Sequence, residues 1–208
     1  MLQLRSATAV IAIVTTTVSA VAILFLNLGV VATFWGFTPA MVGVNLSHEL
    51  AIPWWLTPFT SALLHGSWLH LIVNMIMLLF VGSQVERVIG GAAMLFAYIV
   101  GGLVACAAQY LVEPMSVIPM VGASGAISAL FGLYALFFGR PKQVTRNIRI
   151  NRWIHVVWLL ATWVALQWAA GFVAGGQGIL LATPAHIGGF IAGILLQKPL
   201  LLWRYRKA

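Results

Sequence analysis

Apolar residues run along this chain in long stretches, and nearly all charged residues lie in the intervals between them. A hydrocarbon core about 30 Å thick is crossed by about 20 helical residues rising 1.5 Å each, and a single segment can do this only as a helix, which pairs its own backbone groups. Six segments approach that length: Ala7 to Phe34, His70 to Val85, Gly91 to Val112, Ser124 to Phe138, Trp153 to Val173 and Pro184 to Trp203. The pattern predicts an all-α, polytopic membrane protein, a bundle of six transmembrane helices. An amphipathic stretch rich in Trp and Pro, Trp35 to Leu69, joins the first two segments, and the other connections are short. Residues 1–208 therefore read as a single membrane domain. Val18-Ser19-Ala20 resembles a signal-peptide cleavage site, but the apolar run continues to Phe34, well past a signal core of about 7 to 15 residues. The first segment is expected to stay in the protein.

Composition agrees. The chain is 62% hydrophobic and only 7% charged, with a mean hydropathy of +1.03, whereas a soluble domain carries about 25% charged residues. A water-facing surface cannot be built from this inventory, so a soluble domain and a disordered chain are both excluded. The single cysteine, Cys106, rules out a disulfide scaffold. Net charge is +8, but its placement argues against a nucleic-acid footprint. Arg5 precedes the first segment, Arg87 follows the second, Arg140, Lys142, Arg146, Arg149 and Arg152 follow the fourth, and Lys198, Arg204, Arg206 and Lys207 close the chain. With six crossings every basic residue falls on one side. Lys and Arg are retained on the cytoplasmic side, so both termini are expected there, and the charge also attracts anionic lipid. A short chain of this kind suits a bacterial plasma (inner) membrane.

Polar side chains inside such segments are costly and mark function by default. His70 and Asn74, four residues apart, project from one face of the second helix. Ser124 opens the fourth segment in Gly122-Ala123-Ser124-Gly125, and His186 opens the sixth, sharing a face with Gly189 and Gly193. These polar residues all fall toward the non-cytoplasmic ends, on three different helices. The short serine side chain meets a histidine only if the backbones come close, which small residues permit. About 15 residues separate Ser124 from the basic loop, or about 22 Å of helix, which places the serine about 8 Å below the outer surface.

Elimination narrows the chemistry. His48-Glu49 is the one His-Glu pair, and Ile52 stands where a zinc-binding HExxH motif needs its second histidine, so no metal is expected. The acidic residues are Glu49, Glu86 and Glu113, with no aspartate, so an aspartyl mechanism is impossible and none of the three is placed to orient a membrane histidine. A Ser124/His186 dyad without cofactor remains.

The motifs together resemble the rhomboid family of intramembrane serine proteases. The carriers are His65 with His70-Leu-Ile-Val-Asn74, Glu86-Arg-Val-Ile-Gly90, Gly122-Ala-Ser124-Gly125 and Ala185-His186-Ile-Gly-Gly189-Phe-Ile-Ala-Gly193. The resemblance implies that Ser124 attacks a peptide bond of a transmembrane protein substrate inside the lipid bilayer and that His186 shuttles the proton. It further implies that the Ser124 N–H, His70 and Asn74 hold the oxyanion, that the fifth helix is a lateral gate, and that Gly171 to Gly178 form a mobile cap. Glu86 is expected to order the cytoplasmic end of the second helix. Two departures stand out. Trp54-Trp55-Leu56 lacks the arginine common in the family's first loop, and Ser128 stands one turn after the serine where many members carry an aromatic residue. The alternative in a different class is a catalytically silent rhomboid-like binder or chaperone of membrane helices, although such relatives typically lose the serine or the histidine. A transporter is disfavoured, because neither charged helices lining a path nor an internal repeat is visible.

Overall fold

The computed structural model describes residues 6–175 and 182–206, apart from the side chains of 166–175. It is all-α: nine helices run in the order α1 Ala7–Phe25, α2 Leu28–Trp35, α3 Thr57–Thr60, α4 Trp68–Met77, α5 Ser83–Ile89, α6 Gly91–Val112, α7 Ser124–Phe138, α8 Ile148–Gly175 and α9 Thr183–Tyr205 among the described residues. A π-helical turn, Leu78–Gly82, joins α4 to α5 in one continuous rod, Trp68–Ile89.

Four rods, Ala7–Phe25, Trp68–Ile89, Gly91–Val112 and Thr183–Tyr205, are long and apolar enough to cross a bilayer. The 28-residue α8 occupies the fifth predicted crossing, and α7 is a shorter apolar helix of 15 residues. The protein is an integral multi-pass membrane protein. The starts and ends of α6 and α7 coincide with the sequence expectation, and α9 extends it by a residue or two at each end. The first segment differs. Asn27 interrupts the apolar run and accepts hydrogen bonds from the Gly29 and Val30 N–H groups, which starts the separate helix α2. Asparagine is a strong N-cap because its short side chain satisfies these orphan donors.

Several helix ends are fixed by identifiable chemistry. Ser67 caps α4 through the His70 N–H, and Gly90, at φ +82°, turns α5 into α6 in a conformation that side chains with a Cβ rarely adopt. Glu86 reaches across to the start of α1, accepting bonds from the Ala7 N–H (2.8 Å), the Thr8 N–H (2.9 Å) and the Thr8 hydroxyl (2.6 Å). Thus Glu86 orders the first helix rather than its own helix end, and a carboxylate at a helix N-terminus also meets the positive end of the dipole.

α7 stands at the centre, packed chiefly against α9 and α6, while α6 and α9 also pack against each other. Its inner positions Ala126, Ile127, Leu130 and Leu133 join Leu78, Val81, Val85, Met94 and Ala97 in one core. α1 turns a face of small residues inward (Thr8, Ala9, Ala12, Thr15, Ser19 and Ala22). Leu69, Ile72, Ile76 and Phe80 on the α4 rod face outward, where lipid tails are as apolar as they are.

The stretch between α2 and α4 is a packed loop of short turns. The Trp35 indole N–H donates to the Leu50 carbonyl (3.0 Å), Phe34 stacks on His48 (4.2 Å between centroids), and the Thr60 hydroxyl donates to the Trp35 carbonyl (2.7 Å). These contacts anchor a loop that lacks the first-loop arginine. Phe37 and Met120 exchange two backbone hydrogen bonds of 3.0 and 2.8 Å, which tie the loop to the segment leading into α7.

Candidate active site

Ser124 is the first residue of α7, His186 lies in the first turn of α9, and His70 in the first turn of α4. The three helices converge at one end of the bundle. His186 Nε2 lies 2.7 Å from Ser124 Oγ, a short hydrogen bond, with the histidine 5% exposed.

Small residues allow that distance. A Cβ added to Gly189 would overlap the Gly125 carbonyl, and one added to Gly193 would overlap the Ala129 carbonyl, so the α7 and α9 backbones touch directly. On the other flank of α7, a Cβ at Gly125 would come within 2.6 Å of the Ala105 Cβ on α6. The glycines named from the sequence therefore act where α7 is pressed between its two main partners.

Gly122 has a different task. Its φ of +124° belongs to glycine, and a Cβ there would sit 2.8 Å from His70 Nε2 and 3.7 Å from Ser124 Oγ. The His70 ring and the serine hydroxyl thus converge on the small space that glycine leaves open. The Asn74 side-chain amide donates to the His70 carbonyl one turn back (2.9 Å) and is 6% exposed.

Because Ser124 opens α7, its backbone N–H is among the first four that have no carbonyl to reach within the helix. Three helix N-termini meet at the site, and their dipoles favour negative charge there. Ser128 donates its hydroxyl to the Ser124 carbonyl (2.8 Å), so the residue at the family's aromatic position braces the first turn of α7, which carries Ser124.

Sequence reasoning missed one contributor on α8. The Trp163 indole N–H donates to the His186 carbonyl (3.3 Å), and its ring stacks on Phe190 (5.1 Å between centroids, 10° between planes) and lies 5.1 Å from Phe131. No motif marks Trp163, because apolar helices rich in Trp and Phe do not reveal which ring faces a neighbour. The expected cap, Gly171 to Gly178, lies partly in the end of α8 and partly in 176–181, outside the described residues. Among the described residues no cluster of His, Cys or acidic side chains could hold a metal ion.

An all-α membrane bundle with a serine and a histidine in contact beneath one end defines the class. Residues 53–203 match the family model described as the rhomboid domain, and the chain belongs to the rhomboid family. It is 33% identical over 143 residues to the putative rhomboid protease YdcA of Bacillus subtilis, covering 69% of this chain and 65% of that one. With RHOMBOID-like protein 4 of Arabidopsis thaliana it shares 34% identity over 143 residues, 67% of this chain and 32% of the relative. The rhomboid protease GlpG of Salmonella paratyphi A is 27% identical over 138 residues, 66% of this chain and 46% of the relative. The match thus spans about a third to two thirds of the length of these curated relatives.

Proposed function

We propose that residues 1–208 form a single-domain intramembrane serine endopeptidase that hydrolyses peptide bonds in or near transmembrane segments of membrane-protein substrates. The 2.7 Å contact between His186 Nε2 and Ser124 Oγ carries this reading, supported by the kinship with proteins named rhomboid proteases.

Ser124 Oγ attacks the scissile carbonyl carbon as its proton passes to His186 Nε2, giving a tetrahedral oxyanion. The Ser124 N–H, the His70 ring and the Asn74 amide donate to that oxyanion, each worth about 2.7–4 kcal/mol in comparable sites. His186 then protonates the leaving nitrogen, the C–N bond breaks, and an acyl-enzyme remains on Ser124. Water gives a proton to His186 and attacks the ester, and His186 returns that proton to Ser124. The Asn74 amide carries two N–H donors, so it can keep its bond to the His70 carbonyl and offer the second to the oxyanion.

Both termini are cytoplasmic and the site opens toward the opposite face, with a bacterial inner membrane as the setting. The test is cleavage of a model transmembrane substrate by purified, reconstituted protein. Wild type cleaves it and Ser124→Ala does not. If neither cleaves but both bind the substrate helix, the silent-binder reading holds; equal cleavage by both eliminates the dyad.

A further inference from the structure

Ala123 is the N-cap of α7, and its methyl group cannot accept the hydrogen bonds that a capping side chain normally supplies. His65, in the loop just before α4, does related work. The Ala123 N–H donates to His65 Nε2 at a long 3.4 Å, and the opposite ring nitrogen, Nδ1, lies 2.9 Å from Ser19 Oγ on α1.

Donor and acceptor roles along this chain follow by elimination. The Ser19 hydroxyl proton is used on the Leu63 carbonyl (2.7 Å), so Ser19 Oγ must accept from His65. His65 therefore carries its proton on Nδ1 and leaves Nε2 as an acceptor for Ala123. Burial, reinforced by His70 alongside, pushes the His65 imidazole down to about 3, in keeping with a neutral ring. All three groups are fully enclosed: Ser19, His65 and Ala123 are at most 1% exposed.

The bonds on either side show what this fixes. The Gly122 N–H donates to the Ser61 carbonyl (2.9 Å), and the Ala123 carbonyl accepts from the Ile127 N–H (3.0 Å). With the Ala123 N–H also held, the peptide plane that carries the Ser124 N–H has little freedom to rotate. The same His65 ring meets His70 edge-on, at 4.9 Å between centroids. Two of the three oxyanion donors assigned above are thus braced by one side chain.

We propose that His65 is a positioning residue, linked by Ser19 to α1, that sets the direction of the Ser124 N–H and of the His70 ring. The assignment rests on the serine-protease reading, and its test separates the two. Asparagine at position 65 keeps a donor near Nδ1 but has no atom to reach Ala123; glutamine places an acceptor near Nε2. In an assay where wild type cleaves and Ser124→Ala does not, His65→Asn lowers kcat about 10- to 100-fold with KM unchanged, the scale of a misplaced catalytic group. His65→Gln recovers most of that loss.

Equal kcat for His65→Asn and wild type overturns the proposal, as do equal losses in both variants that track loss of folded protein. A second readout needs no activity. Nitrogen-15 spectra of histidine-labelled protein should show His65 protonated at Nδ1, and the Nε2–H form would overturn the assignment even if the protein cleaves nothing.

Discussion

Gly189 sets how closely α7 and α9 approach at the candidate site. Its missing Cβ leaves room for the Gly125 carbonyl, and the 2.7 Å serine–histidine contact depends on that approach. Gly189→Ala forces α7 and α9 apart at a cost of about 1–3 kcal/mol, the usual range for an overpacked core. Both the thermal midpoint and kcat fall, while Gly29→Ala on α2, whose added Cβ would meet only the Asn27 side chain at 3.4 Å, lowers neither to that extent. Thermal unfolding in detergent beside a cleavage assay checks this. His65 makes a second prediction at this scale. The unfolded chain takes up a proton near the ordinary histidine pKa of about 6.5, whereas the folded protein resists until about 3, because burial and then His70 oppose the charge. Stability held by the neutral ring is present above pH 6.5 and is lost as pH falls from about 6.5 toward 3. His65→Gln removes that part of the acid slope, which unfolding midpoints across this window measure.

Helix by helix, the bundle is unevenly bound. α6, α7 and α9 hold one another through close backbone contacts, whereas α8 meets α9 much more lightly. Trp163 is a principal link, through its bond to the His186 carbonyl and its stack on Phe190. Trp163→Phe keeps a ring and loses the N–H bond, worth about 0.5–1.5 kcal/mol, and Trp163→Ala loses both. Hydrogen exchange in residues 148–165 should rise in that order and leave α7 unchanged; equal exchange in all three proteins would show that α8 is held elsewhere.

The sequence made some elements readable and hid others, for physical reasons. α6 and α7 were legible to the residue because glycine or a turn bounds each apolar run: Gly90 before α6 and Gly139 after α7. The break at Asn27 was not, since one asparagine in a 28-residue segment leaves the hydropathy of a window high. Ser124, His186, His70 and Asn74 stood out because lipid makes polar side chains conspicuous. Ser19 and Trp163 did not, because a serine or a tryptophan in a membrane helix has many uses, and only the partner across the bundle tells them apart.

Over the whole molecule, the placement of basic residues supports the proposed orientation. Along the sequence the basic residues flank the apolar segments at the ends away from Ser124 and His186, and the proposed topology puts those ends in the cytoplasm. Cys106, the sole cysteine, is buried on α6, so introduced thiols can be read against a quiet background. Lys142→Cys should label with a membrane-impermeant thiol reagent only when the cytoplasmic face is open. Val117→Cys, in the exposed loop before α7, should label from outside, and the reverse pattern would invert the topology.

The central claim is that Ser124 is a nucleophile activated by His186. A serine-directed fluorophosphonate measures this directly in folded, reconstituted protein, without any need to know the substrate. Wild type should be labelled at Ser124 as found by peptide mapping. Ser124→Ala should take no label, and His186→Ala should be labelled at least about 10³-fold more slowly, since a serine without its base is a weak nucleophile. Labelling of His186→Ala at the wild-type rate would contradict the claim, as would a folded wild type that takes no label at all.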